Sequence, residues 1–177
     1  MEYDVAMIKQ YFHSMFANHR CAIAFLAAIS ASALIVALIS QYIYGLQPCV
    51  LCVYQRIPYA MIVGLGVLYL AFSTKYPKAG PWVLGGMSLL FFIEAVIAFY
   101  HTGVERKWWA SFLEGCSVPN LEGNITDVLA RIAATPVFRC DEIPWTDPVI
   151  GLSMANYNVG IALVLCGLAL YSWKNAR

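Results

Sequence analysis

Long apolar runs separated by short polar segments dominate the chain, and none shows the two-residue alternation of a barrel strand. Four of them approach the roughly 20 apolar residues that a helix needs to cross a bilayer. They fall at about 21–40, without a charge, and at about 57–72, which is short unless its flanks extend it. The third, at about 81–100, carries one acid, Glu94, and the fourth, at about 152–173, ends in the interfacial aromatics Tyr171 and Trp173. Gly64, Gly66, Gly85, Gly86, Gly160 and Gly167 recur inside these runs, as close helix packing in lipid favours. The pattern predicts an all-α membrane protein: residues 1–177 form a single transmembrane domain, a four-helix bundle with connections at about 41–56 and 101–150 on one side. The longer connection should hold a short helix over Ile125–Ala133, with Ile125, Val128, Leu129 and Ile132 at helical spacing, Asn124 as N-cap and Pro136 beyond its end. Trp108, Trp109, Phe112 and Leu113 are expected on the membrane surface, with Glu105, Arg106 and Lys107 facing water.

Composition agrees with this. Apolar residues make up 61% of the 177 and charged residues 12%, too few to cover a soluble globule. The same figures exclude a disordered chain. A net charge of +1 provides no broad basic face, so nucleic acid is not an expected partner. Lys9, Arg20, Lys75, Lys78, Lys174 and Arg177 all flank the side opposite the two connections, which reads as cytoplasmic for both termini. A cleaved signal peptide is the alternative for the first run. That run is too long, and its Ala31-Ser32-Ala33 triplet lies in the middle of it.

Topology sorts the six cysteines. Cys21 and Cys166 lie in or at the ends of spans and read as small buried hydrophobes. Cys49, Cys52, Cys116 and Cys140 lie in the two non-cytoplasmic connections, where thiols are expected to be oxidised. A zinc site from these four is disfavoured, because Cys116 and Cys140 lack the spacing of a second metal knuckle, and no metal is expected. Two structural bridges would be the plain reading. Against it stands Cys49-Val50-Leu51-Cys52: a ring this small gains little chain-entropy stabilisation, and its usual use is thiol exchange. Pro48 can start a helical turn that sets Cys49 at a helix N-terminus, where the dipole favours thiolate. Arg56 lies four residues beyond Cys52 and would share its helix face, either stabilising a thiolate or snorkelling to the headgroups. Pro58 would remove the helical bond to the Tyr54 carbonyl.

The segment Q-P-C-V-L-C-V-Y-Q-R (Gln47–Arg56) resembles the redox motif of the DsbB family, the quinone-dependent thiol oxidases of the bacterial inner membrane. Y-H-T-G-V-E (Tyr100–Glu105) is similar to a motif at the end of that family's third span. F-R-C-D-E-I-P-W (Phe138–Trp145) and G-L-S-M-A-N-Y-N (Gly151–Asn158) resemble the approach to its fourth. The resemblance covers nearly the whole chain. It implies a multi-pass inner-membrane protein with two periplasmic loops that reoxidises a DsbA-like thioredoxin-fold partner and passes the electrons to ubiquinone or menaquinone. Cys116, bridged to Cys140, would be attacked by the partner; electrons would pass to Cys49 and Cys52, and Cys52 would meet the quinone. Arg56 would match the family's quinone-site arginine, and His101 a histidine near the same ring. The rivals are a non-catalytic four-span scaffold stapled by two bridges, and a vitamin-K-reductase-like enzyme.

Glu94 is an ionisable residue within a span and therefore a functional candidate. Seven residues before His101 and roughly on its face, it reads either as a neutral, hydrogen-bonded structural acid or as a proton relay for a quinone.

Overall fold

A computed structural model describes residues 7, 10, 13, 15–113, 116, 124–134 and 139–175, excepting the side chains of 128 and 131–134. It contains the four long helices expected: α1 (His19–Tyr42), α2 (Val50–Phe72), α3 (Gly80–Glu105) and, after the short helix α4 (Ile125–Ala134), α5 (Met154–Asn175). All four are long and apolar enough to cross a membrane. In lipid the backbone must satisfy its own N–H and C=O groups, which is why continuous apolar sequence becomes continuous helix here. The chain is all-α; among the described residues its one β feature is an isolated bridge between Thr146 and Ser153.

The second run extends further than its apolar stretch. α2 begins at Val50 and runs through Pro58, which is buried inside it, so the lost bond to Tyr54 does not end the helix. The expected Pro48 start shifts by two residues, because Cys49, with extended backbone, is the N-cap and its sulfur accepts the Cys52 N–H at 3.3 Å.

α3 packs most extensively on α5, while α2 lies between α1 and α3. Ile23 and Leu26 of α1, Ile62 of α2, Leu84, Met87 and Phe91 of α3, and Ala169 of α5 close the centre. Large side chains such as Val36, Val67, Phe92 and Val164 face outward, as a lipid-facing surface requires. Cys21 corrects an expectation: it is exposed, because α1 buries the stripe Ala22, Ile23, Leu26, Ala27 and Ser30, which leaves Cys21 outside. Cys166 is buried as expected, with its sulfur 3.4 Å from the Ser88 hydroxyl.

α4 is present, but Ile125 and Leu129 of its expected apolar stripe are 74% and 60% exposed and pack against no core. The Val128 and Ile132 side chains and Pro136 lie outside the described residues, as do Lys9 and Arg177.

Gly66 is where α1 and α2 approach closely: a Cβ there would press into the Ala27 methyl and touch Met87, whereas Gly64 has open space. Gly66→Ala is expected to destabilise the bundle by about 1–3 kcal/mol, and Gly64→Ala to leave it unchanged. Thermal unfolding of the two variants in one detergent compares them directly.

Candidate active site

Cys49 and Cys52 sit on the first turn of α2, with their sulfurs 2.8 Å apart and both thiols free. The cap geometry does this: an N-cap side chain points back over the first turn, and residue i+3 rises to meet it. Cys49 departs from the thiolate expected at a helix N-terminus. The Cys52 contact, reinforced by burial, holds its thiol above the usual range.

Cys116 and Cys140 form a disulfide with their Cα atoms 4.5 Å apart. Both are fully buried, and they pack in one cluster with Cys49, Leu51 and Val104, flanked by Cys52, Tyr100 and Leu113. The fold therefore brings all four loop cysteines together at one end of the bundle. Beside the bridge, the Arg139 guanidinium is paired with Asp141 and holds that carboxyl below its ordinary range.

His101 lies on the last turn of α3, buried, with Nε2 3.5 Å from the Cys49 sulfur. Its other nitrogen, Nδ1, is 2.9 Å from the Gln55 amide nitrogen. Gln55 Oε1 accepts from the Asn158 amide at 2.8 Å, and the same amide nitrogen donates to Glu94 Oε1 at 2.5 Å. The Tyr59 hydroxyl donates to Asn158 Oδ1 at 2.6 Å. These side chains come from α2, α3 and α5 and meet inside the bundle. Glu94 is fully buried, and among the described residues its Oε2 has no partner. Sequence reasoning weighed Glu94 and His101 but missed Gln55, Tyr59 and Asn158. The available signal was polar side chains within or beside apolar spans, which lipid tolerates only when they are paired.

Glu105 was expected to face water and does not. It is 7% exposed, accepts the Ser153 hydroxyl at 2.5 Å, and sits 3.7 Å from His101 Nε2. α3 continues to residue 105, so Glu105 lies one turn above His101 on the same inward face. Arg106 and Lys107 do face outward. There α3 ends in a Schellman stop: Trp108 N–H bonds the Gly103 carbonyl, Lys107 N–H bonds that of Val104, and Lys107 takes the left-handed φ of 58°. Trp109 folds back to donate its indole N–H to the Tyr100 carbonyl, and the exposed Trp108, Trp109 and Phe112 group with Phe99 and Tyr100 as a surface anchor would.

Arg56 stands one turn beyond Cys52 on α2 and donates from Nη1 to Gln41 Oε1 of α1 at 2.6 Å. Val53 and Ile57, next to Cys52 and Arg56, are about half exposed on the outer surface.

The sulfurs of Cys49 and Cys52 and a His101 nitrogen are close enough together to suggest a metal triad. The donor chemistry opposes it. Two thiolates about 2.3 Å from a tetrahedral zinc stand roughly 3.8 Å apart, whereas these sulfurs are at 2.8 Å.

A family model described as Disulfide bond formation protein DsbB matches residues 19–172. The chain is similar to Disulfide bond formation protein B of Stutzerimonas stutzeri, 30% identical over 155 residues, covering 79% of this chain and 89% of the relative. It is also similar to proteins of the same name from Xylella fastidiosa, 29% identical over 152 residues (80% and 82%), and from a Polaromonas species, 28% over 171 residues (93% and 95%).

Proposed function

Because the chain belongs to the DsbB family of disulfide-forming membrane proteins, we propose that it oxidises a periplasmic DsbA-like dithiol protein and delivers the electrons to a membrane quinone. The observation that carries this reading is the single buried cluster holding the Cys116–Cys140 bridge and the free Cys49/Cys52 pair. A purely structural bridge would not need to share a buried cluster with a second, unbridged pair. The protein acts in the inner membrane with both termini in the cytoplasm, as its flanking lysines and arginines favour.

Exchange proceeds by thiolate attack on a disulfide sulfur. The reduced partner attacks Cys116 and expels Cys140, and its second thiol then releases Cys116, leaving both loop thiols reduced. One loop thiolate attacks Cys49 of the oxidised inner pair and expels Cys52. The other attacks the loop sulfur of that mixed disulfide, expels Cys49 and restores the Cys116–Cys140 bond. An outer bridge beside an inner dithiol is the state this sequence reaches before the inner pair is reoxidised. Because Cys116 is fully buried, the partner must first lift the outer segment off the cluster.

A quinone supplies an acceptor for the two electrons and two protons of the Cys49/Cys52 dithiol. The residues present fit it. Cys52 is partly exposed, Arg56 offers planar N–H donors one turn away, and Val53 and Ile57 border both on the outer surface. Arg56 stabilises negative charge developing on a carbonyl oxygen. His101, with Nε2 3.5 Å from the Cys49 sulfur, is the other side chain proposed near the quinone ring, and Glu105 lies beside it.

The test is stoichiometric. Purified protein, a reduced DsbA-like protein and a short-chain ubiquinone or menaquinone should give one protein disulfide per quinone reduced. Partner oxidation at the same rate without quinone would remove the quinone from the reading, and no turnover with either quinone would favour the scaffold.

A further inference from the structure

The buried and half-buried side chains running from Glu94 to Cys49 form a hydrogen-bond chain with one direction. Glu94 accepts through Oε1 whether it is ionised or carries its proton on the buried Oε2, so the Asn158 group facing Oε1 is its NH2, and its Oδ1 then receives the Tyr59 hydroxyl. The second N–H of that NH2 goes to Gln55 Oε1. Gln55 therefore has only its own NH2 to turn toward His101, and Nδ1 must accept from it. A neutral imidazole carries one hydrogen; with Nδ1 accepting, it sits on Nε2, which faces the Cys49 sulfur at 3.5 Å and Glu105 Oε1 at 3.7 Å. Each link is forced by the one before it, and the starting point is the acid buried deepest. Glu105 reinforces the result, because a bare Nε2 lone pair would face its carboxylate.

We propose that Glu94, Asn158 and Gln55 are positioning residues that lock His101 in its Nε2–H tautomer, so that this N–H donates to the Cys49 sulfur when Cys49 is expelled as thiolate. Amides do not pass protons along such a chain readily, so its work is orientation, and Glu94 acts as its fixed end. The bond balance is that of the exchange step above: the loop-sulfur bond to Cys49 breaks, the Cys116–Cys140 bond forms, and the electron pair stays on Cys49. No proton moves; the imidazole N–H shares its hydrogen with the new anion. The catalytic meaning rests on the dithiol-oxidase reading, whereas the tautomer can be measured independently of it.

The experiment uses full-length protein in lipid nanodiscs with 15N-labelled histidine. Two-bond nitrogen–proton correlations report the tautomer, and a His101→Ala sample assigns the signal against His13 and His19. The wild type and Glu94→Gln, whose side-chain carbonyl still accepts from Asn158, should both show Nε2–H. The double variant Glu94→Gln with Asn158→Asp reverses every link: the new amide donates to the new carboxylate, Gln55 turns over, and His101 should carry its hydrogen on Nδ1. If that variant does not fold, Asn158→Leu serves instead and should give a mixture of tautomers. An Nε2–H signal unchanged in the double variant, or in Asn158→Leu, overturns the proposal. A wild type with the expected tautomer but no quinone reduction would instead overturn the oxidase reading.

Discussion

Serine at Cys49 or Cys52 is expected to reduce quinone-dependent oxidation of the protein partner to below about 1% of the starting rate, since a hydroxyl neither ionises near neutral pH nor exchanges with a disulfide. Serine at Cys116 or Cys140 should abolish that reaction equally. These two outer variants differ in one respect: they should still oxidise a small dithiol such as dithiothreitol at the expense of quinone, because the inner pair is intact. Cys140→Ser mixed with the oxidised partner should form a mixed disulfide at Cys116, whose thiolate attacks the partner's disulfide and leaves the partner's second thiol reduced, and mass spectrometry detects it. Cys21→Ser and Cys166→Ser should change little. Cys21 is exposed on the outer face of α1, and a serine at Cys166 keeps a polar atom beside Ser88. Normal oxidation of the partner by a Cys116 or Cys140 variant would refute the relay, and a partner found only on Cys49 or Cys52 would reverse its order.

Arg56→Lys should raise the apparent quinone KM by roughly tenfold, and Arg56→Gln by more, because a compact ammonium lacks the planar fork of donors and an amide lacks the charge. Lysine is a fair control, since it keeps the cation and a donor for Gln41, the partner of Arg56 at the end of α1. Exchange between the partner and the outer pair, followed in a single turnover without quinone, should change less than about twofold. Steady-state rates across quinone concentration separate the two effects. An unchanged KM in both variants would leave Arg56 as a membrane anchor that joins α1 to α2.

The four long helices were legible because lipid ties helix length to apolar length, and that relation does not depend on tertiary contacts. The start of α2 was legible only in part. Gln55, Arg56 and Pro58 cut the apolar run back to residue 57, so only Pro48 and the Cys49–Cys52 spacing pointed to a turn where the helix begins, seven residues earlier under the Cys49 cap. The thiol chemistry was legible in the spacing of Cys49 and Cys52 and in the even number of cysteines on one side. The chain from Glu94 to His101 was hidden for a different reason. Its partners lie 46 to 103 residues apart, and no local pattern shows that Gln55 and Asn158 satisfy each other. Glu105 misled through its neighbours: beside Arg106 and Lys107 it reads as a water-facing charge, yet it falls on the inward face of α3.

The stop at the end of α3 separates a segment that must be displaced from one that must hold still. Beyond it lies the outer bridge, which the proposed exchange would require to move when a partner attacks Cys116. Before it stand His101 and Glu105, whose angles around the helix axis decide what Cys49 meets. The left-handed turn at Lys107 and the paired bonds from Lys107 and Trp108 close the last carbonyls of α3 locally, and the Trp109 indole is tethered to Tyr100. A pull on the loop is thereby taken up at residues 107–109, like load on a cleat. In the proposed exchange, the imidazole four residues inside the helix end would then keep its angle to Cys49 while the outer bridge is displaced.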